Sequence, residues 1–253
     1  MKLVTIGKHK VLLYGSIEEL PIVRYHKYNK MLLVDAGLGS DLNAVDGHIE
    51  RAVRFIKTDQ RKEAATELEN IRQTIYMILQ GMNPKHMAFA VLVSEIDGKQ
   101  YNDMSDEGLQ RIVELLGDVP TGDVKTAFEA VKKKIDEELT VYFPDVFDSA
   151  TEKEYYDTMK RRTQAMLDAI IEGDTQERRE NIEKLTDELV CFTKPRSFVG
   201  TGSAEIEYDR QFEDMCLAMA QSLNVDPKKM TVMEFYNAHR YLQKQQKRQN
   251  KAR

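Results

Sequence analysis

The chain has 253 residues, with 37 lysines and arginines against 42 aspartates and glutamates, two cysteines and no tryptophan. A composition with 42% apolar and 31% charged residues can form a buried core, which argues against a wholly disordered chain. The longest apolar run, Met87–Val93, is far shorter than the ~20 residues that span a bilayer. Cys191 and Cys216 are too few for a disulfide framework, and no signal peptide is visible, so we expect a protein made in a reducing cytoplasm.

The charge is unevenly distributed along the chain. The last segment, Arg240–Arg253, carries six basic residues and no acidic one, so the remainder of the chain is strongly acidic. An acidic body disfavours nucleic-acid binding, because neutralising phosphates requires an excess of lysine and arginine over a broad face. Only the basic tail could contact an anionic partner.

The first fourteen residues have the pattern of a β-hairpin. Two strand-like segments, Lys2–Ile6 and Lys10–Tyr14, flank Gly7, which supplies the positive φ that a tight turn needs. The next residues, from Ser16 to Glu19, match a helix capping box. Pro21 then begins or bends a second helical segment, which is predicted to run to about Val34.

Helical periodicity dominates the rest of the chain. Asp41 is predicted to cap a helix, and apolar residues recur every three or four positions over this segment and the next. These positions are Leu42, Val45, Ile49, Ala52, Val53 and Ile56, followed by Ala64, Leu68, Ile71, Ile75 and Ile78. The run Met87–Val93 is apolar on all sides, so periodicity alone cannot distinguish a buried helix from a strand. Pro84 favours the helix, whereas Asp97-Gly98 leaves a short hairpin open.

The second half of the chain predicts three further groups of helices. The first comprises one helix from Ser105 to Leu116 and another that carries Val124 to Tyr142 and stops at Pro144. The second is an antiparallel helical hairpin at about 149–193, with its turn at Gly173-Asp174. The third is a helical pair over residues 205–253. We therefore predict a mainly α fold with a small N-terminal β-hairpin: a body over 1–195, a linker or loop over 196–204, and a C-terminal helical module with a basic tail over 205–253.

Two glycine-containing stretches could suggest nucleotide binding. In Gly37-Leu-Gly39-Ser40-Asp41 the third glycine of a dinucleotide fingerprint is replaced by Leu42, and the preceding segment is helical rather than a strand. A helix end followed by the Asp41 cap is the better interpretation. The stretch Gly200-Thr201-Gly202-Ser203 is likewise interpreted as a loop.

A third stretch, Asp103–Glu114, matches the oxygen positions and the glycine of a calcium loop. The match is opposed by Ser105, a good N-cap for a helix that would include Glu107 to Glu114. A calcium-regulated or enzymatic module here is therefore kept only as an alternative.

No other pattern predicts catalysis or metal binding. The five histidines have no second histidine or cysteine at a metal-ligand spacing; they are His9, His26, His48, His86 and His239. His239 lies on the apolar side of the last helix and is interpreted as a packed or interface residue. We predict no catalytic, cofactor-binding or metal-binding residues and no cofactor, and we expect a protein that is not an enzyme.

One stretch resembles a known family. The sequence Leu20-Pro-Ile-Val-Arg-Tyr-His-Lys-Tyr-Asn-Lys-Met-Leu-Leu-Val-Asp-Ala-Gly-Leu-Gly-Ser-Asp-Leu42, with Asp46 and His48-Ile49 after it, is similar to the opening of neck and tail ring proteins of crAss-like phages of gut Bacteroidales. The stretch Asp226-Pro-Lys-Lys-Met-Thr-Val-Met-Glu-Phe-Tyr-Asn237 is similar in character. Together these stretches cover about a quarter of the chain.

The resemblance implies a structural subunit of the virion, located in the tail or at the portal–tail neck. Its partners would be copies of itself in a closed ring and neighbouring tail or portal proteins, without a membrane. A cyclic ring requires two different complementary faces on each subunit. The alternative within the same viral setting is a tail-assembly chaperone or scaffold that is not retained in the particle.

Overall fold

The computed structural model describes residues 1–117, 121–144, 150–192 and 194–251. The predicted mainly α fold is confirmed: these residues form ten α-helices and four short strands. The strands are β1 (Lys2–Ile6), β2 (His9–Leu13), β3 (Val93–Ile96) and β4 (Lys99–Gln100). The helices are α1 (Ile22–Leu38), α2 (Leu42–Lys57), α3 (Arg61–Leu79), α4 (Pro84–Leu92), α5 (Asp106–Leu116), α6 (Thr121–Tyr142), α7 (Ala150–Glu172), α8 (Gln176–Phe192), α9 (Ala204–Leu223) and α10 (Val232–Lys251), with a 3₁₀ turn at Pro227–Lys229.

The predicted N-terminal hairpin is half of a four-stranded antiparallel sheet. The strands β1 and β2 pair across the turn at Gly7, whose φ is 57°, and β2 also pairs with β3. The second hairpin, β3–β4, turns through Asp97 and Gly98, which both have positive φ as a tight two-residue turn requires. The pairing of β2 with β3 joins segments about eighty residues apart, which no local pattern could indicate.

The ambiguous run Met87–Val93 contains both of the predicted alternatives. Asn83 caps α4 by accepting hydrogen bonds from the backbone N–H groups of Lys85 and His86, and the helix ends at Leu92, where β3 begins. The buried guanidinium of Arg24 donates to the carbonyls of Val91 and Val93, each at 2.9 Å. A side chain from α1 therefore satisfies carbonyl groups at the point where the helix changes into a strand.

The predicted capping box at Ser16 is wrong. Residues 16–20 form only an isolated turn, and the Ser16 hydroxyl donates to Glu138 of α6 at 3.0 Å. The same carboxylate accepts the backbone N–H of Ile17 at 2.9 Å. The Ser16 hydroxyl, which would cap a helix by accepting from the backbone N–H of Glu19, thus donates to a distant glutamate instead.

The predicted end of α1 at about Val34 is four residues too early, whereas the predicted helix end in the stretch Gly37–Gly39 is confirmed at Gly39. The helix continues through Gly37 to Leu38 and ends at Gly39, whose φ is 70°. Gly37 is needed for packing rather than as a stop, because a Cβ at this position would lie 2.2 Å from the ring of Phe198.

The C-terminal helices share the main core with the N-terminal half. Phe212 of α9 and Phe235 of α10 belong to the same buried cluster as Ile6 of β1. The backbone N–H of Val232 donates to the carbonyl of Leu20, and that of Ile22 donates to the carbonyl of Met230. The segment 196–204 is a loop, but the predicted division at this loop does not separate two cores.

Candidate assembly surfaces

The predicted helical hairpin is present as α7 and α8, which pack against each other and turn at Gly173. We call α7, the turn and α8 the arm. Its predicted outer limits, residues 149 and 193, lie outside the described residues. The ion pair of Arg161 with Glu188, at 3.2 Å, and the hydrogen bond from Arg162 to Thr186, at 2.8 Å, join the two helices.

The arm has almost no core of its own. Of its side chains that the structure describes, only Thr158 and Leu185 are buried. Ile170 and Ile171, at the end of α7, are each 77% exposed, and every described residue from 170 to 177 is exposed. Since helices of this length are stabilised mainly by burial of an apolar face, this exposure leaves the end of the arm incompletely covered.

The base of the arm is joined to the turn between α2 and α3. Arg54 of α2 donates to Asp187 of α8 at 2.5 Å, and Lys194 lies 3.8 Å from Glu63 of α3. Asp187 is eleven residues from the start of α8, so the tip lies ~16 Å along the helix axis from this contact. The arm therefore extends away from its point of attachment.

The α2–α3 pair has an unusual distribution of side chains. Half of the eight residues that these two helices bury are polar, namely His48, Glu67, Asn70 and Thr74. Most of their other large apolar side chains form exposed rows, which we call the outer rows: Leu42, Ile49, Val53 and Ile56 on α2, and Leu68, Ile75, Tyr76 and Leu79 on α3. An apolar stripe at helical spacing ordinarily faces the core, and most of the predicted stripe on α2 faces solvent instead.

A buried charge cluster explains which sides of α2 and α3 face each other. Glu67, 1% exposed, lies with Oε2 2.5 Å from His48 Nδ1 and accepts from Arg51 Nε at 2.7 Å. His48 Nε2 and the Thr74 hydroxyl both donate to the carbonyl of Leu38 at the end of α1. Burial alone would raise the pKa of Glu67, but the bonds from His48 and Arg51 outweigh it and the pKa is lowered. The cluster therefore stabilises Glu67 in its charged form.

Sequence reasoning missed this cluster. The signal that could have indicated it is the spacing of Glu67, Asn70 and Thr74, which places three polar groups on one side of α3. Ordinarily such a row is interpreted as the solvent-exposed face of a helix. The apolar stripe beside it reinforced that interpretation.

The basic tail is the end of α10. Arg240 still contacts the body: it donates to the carbonyl of Tyr142 at 3.2 Å and lies over the ring of Phe143 at 5.3 Å. The described side chains from Gln243 to Arg248 are exposed, and three of them are basic. The tail is thus an exposed helix end whose charged side chains are all positive.

The calcium alternative is not supported by the geometry around Asp103–Glu114. Ser105 caps α5 by accepting from the backbone N–H of Gly108, so the second half of the motif is helical. Asp103 accepts from Arg111 at 2.7 Å. Among the residues that the structure describes, no three histidine, cysteine or acidic side chains are grouped to hold a metal ion.

The two glycine stretches end and begin helices. Gly39 ends α1, and Asp41 caps α2 by accepting from Ala44 N–H at 2.9 Å. The stretch Gly200–Ser203 is a turn, and Ser203 caps α9 by accepting from Ile206 N–H. Neither stretch lies beside a strand, as a dinucleotide site requires.

The histidines that contact other groups act in packing and ion pairs. The His26 ring stacks on Tyr208 and Phe212, with ring centroids 4.6 and 4.1 Å away, and bonds to Asp209. Burial lowers the pKa of His26 and also that of His239, which is partly buried on α10 as predicted. These contacts join α1 to α9 rather than forming a ligand set.

Within the described parts of the chain, no helix combines the length and the apolar character needed to cross a membrane. Comparison of the chain with protein-family models, with curated protein sequences and with solved structures found no match.

Proposed function

We propose that this chain is a structural subunit that assembles with copies of itself into a closed ring in the tail or neck of a phage particle. Its function is protein–protein assembly, and it carries out no chemical reaction. The proposal has two parts, self-assembly and location in the particle, and each part has its own support and its own test.

Self-assembly is supported mainly by the composition of the arm surface. The arm exposes Ile170 and Ile171 at its tip and Tyr156 and Leu167 along α7, while burying only two of its described side chains. Several large apolar side chains exposed on one helix, with so few buried, are typical of a protein–protein interface. The outer rows of α2 and α3 are a second such surface on the same chain.

The location in a phage particle is supported by the resemblance of Leu20–Leu42 and Asp226–Asn237 to neck and tail ring proteins. Both stretches lie in parts of the chain that pack together: the backbone of Ile22 is hydrogen-bonded to that of Met230, and His26 stacks on α9. The resemblance therefore concerns a packed region of the body, whereas the arm carries the surface for assembly.

The first test is the mass of the purified protein, measured by mass photometry or light scattering over a wide concentration range. We expect a discrete oligomer at a multiple of 29.2 kDa, without a ladder of intermediate sizes, because ring closure adds one contact without further loss of freedom. A matched pair of variants tests the surface: Ile170→Ser removes an exposed apolar side chain from the arm, and Gln164→Ser changes an exposed polar one. Only the first is expected to reduce the oligomer; equal behaviour of the two variants would contradict the role given to the arm.

The second test distinguishes a ring from a chaperone that is released after assembly. Quantitative mass spectrometry of purified phage particles should find the chain at a fixed copy number relative to the portal protein. Its presence in infected cells and absence from the particles would reject the structural role and favour the chaperone.

A further inference from the structure

We propose that the tip of the arm of one copy docks on the outer rows of α2 and α3 of the next copy, in a head-to-tail contact. This inference rests on the proposed self-assembly and specifies which two faces of the subunit meet. The two faces are different, so the contact is heterologous, and repeating it around an axis generates a ring.

Apolar side chains are exposed on both faces. The tip offers Ile170 and Ile171, and α2 offers Ile49, Val53 and Ile56 at spacings of four and three, which place them on one side of the helix. Burying these side chains against each other would remove apolar surface from water on both partners, which is the main driving force for association.

The charges of the tip and of the segment that joins α2 to α3 are of opposite sign. Residues 168–180 at the tip carry five acidic side chains against two basic ones, Arg178 and Arg179. Residues 51–62, at the end of α2 and the start of α3, carry five basic side chains against one acidic one, Asp59. Complementary potentials of this kind select the partner and set the orientation of docking.

Several of these charges lack a partner inside the subunit. Arg51 is engaged by Glu67, Arg54 by Asp187 and Arg61 by Asp59. In contrast, Lys57 and Lys62 on one face and Glu177 and Glu180 on the other make no ion pair with any residue that the structure describes. All four side chains are exposed and are available to an adjacent subunit.

The contact cannot form within one chain. The arm is fixed to α2 by Arg54 and Asp187, and the tip lies ~16 Å beyond that point along a continuous helix. Among the described helices, α7 and α8 pack extensively only against each other, so the tip does not lie along α2 of its own chain. The outer row of another copy is therefore the surface that the tip can reach.

Charge reversal tests this contact. The tip variant carries Glu177→Lys with Glu180→Lys, and the turn variant, altered at the α2–α3 turn, carries Lys57→Glu with Lys62→Glu. Each variant alone places like charges on both faces, and we expect it to weaken assembly roughly tenfold or more in apparent dissociation constant. A control with Glu129→Lys and Glu137→Lys on α6 makes the same change in net charge as the tip variant and should assemble like the unmodified chain.

Mixing the two variants gives the decisive result. A basic tip can then meet an acidic α2–α3 turn, and an acidic tip can meet a basic one, so the mixture should restore assembly into oligomers in which the two variants alternate in equal numbers. Native mass spectrometry with one variant isotope-labelled counts the two species. An arm-to-arm contact predicts instead that the turn variant, whose tip is unchanged, assembles like the unmodified chain.

The outcomes separate this inference from the proposed function. If the unmodified chain stays at 29.2 kDa at every concentration, self-assembly and this contact are both rejected. If the chain forms an oligomer that both variants leave intact, or that mixing fails to restore, the ring stands and the head-to-tail contact is rejected.

Discussion

Two helices of this chain, α4 and α7, show how differently its helical segments are used. In α4, nine residues long, seven side chains are buried, and Arg24 bonds to the end of the helix. In α7, 23 residues long, Thr158 is the only buried side chain among those described. Length and helical period therefore do not indicate how much stability a helix contributes. The short helix is at the centre of the fold, whereas the long one presents surface.

The largest expected effect is in the body. Phe235 of α10 is 1% exposed and packs among Phe212 and Tyr236. Replacing it with alanine should reduce the free energy of unfolding by about 3–5 kcal/mol, because the lost transfer energy adds to the cost of the cavity. Urea unfolding followed by circular dichroism measures the loss. An effect below about 1 kcal/mol would mean that the C-terminal helices do not share the main core.

The α2–α3 pair lies between the two extremes, since it is held by charges as well as by apolar contact. Glu67→Gln leaves His48 and Arg51 without their carboxylate, and should cost about 3 kcal/mol at neutral pH. Leu68→Gln on the exposed row of the same helix is the control and should cost little.

The same cluster predicts a dependence on pH. The pKa of Glu67 is lowered on folding below its ordinary value of 4.5, so the unfolded chain binds a proton more readily. Its stabilisation is therefore present above about pH 4.5 and is lost as the pH falls through the folded-state pKa. The difference in unfolding free energy between the unmodified chain and Glu67→Gln should shrink over this acid range. A difference that stays constant with acidification would show that the charge of Glu67 does not contribute.

A smaller effect is expected where the loop meets α1. Gly37→Ala would place a Cβ 2.2 Å from the Phe198 ring, which must then move, at a cost of about 1–3 kcal/mol. In a chain that already carries Phe198→Ala, the same glycine change should be nearly neutral or stabilising, since alanine favours the helix. A double-mutant cycle measured by urea unfolding gives the coupling. Additive effects would show that the ring does not press on Gly37.

These contrasts explain how much could be predicted from the sequence. Local patterns predicted the helical hairpin, the caps at Asp41 and Ser105, and the β1–β2 pair, because each depends on residues close together in the chain. The wrong predictions concern residues that each contact a partner far away in the chain. Glu138 bonds to the turn at Ser16, and Phe198 packs on Gly37.

The candidate surfaces were only partly accessible to sequence reasoning. The arm was predicted as a helical hairpin and the basic tail as the one segment that could contact an anionic partner, and both were located as helices. The outer rows were not anticipated, because the stripe from Leu42 to Ile56 has the spacing of a buried face. What turns most of it outward is the bonding of Glu67 to His48 and Arg51, two side chains on the preceding helix.

The smallest effect on folding is expected at the tip of the arm. It gives the clearest test of the difference between a helix that forms the core and one that presents surface. Ile171→Ser changes a side chain that is already 77% exposed, so the unfolding free energy of the monomer should change by less than about 0.5 kcal/mol. Ile112→Ser, the same chemical change at a fully buried position on α5, should destabilise the monomer by several kcal/mol. The effect on assembly should be separate from the effect on folding: Ile171→Ser disassembles the oligomer while the subunit remains folded. Urea unfolding at low concentration and mass photometry at high concentration separate the two quantities. If Ile171→Ser unfolds the subunit, the tip is part of the core of the body rather than a surface for a neighbour.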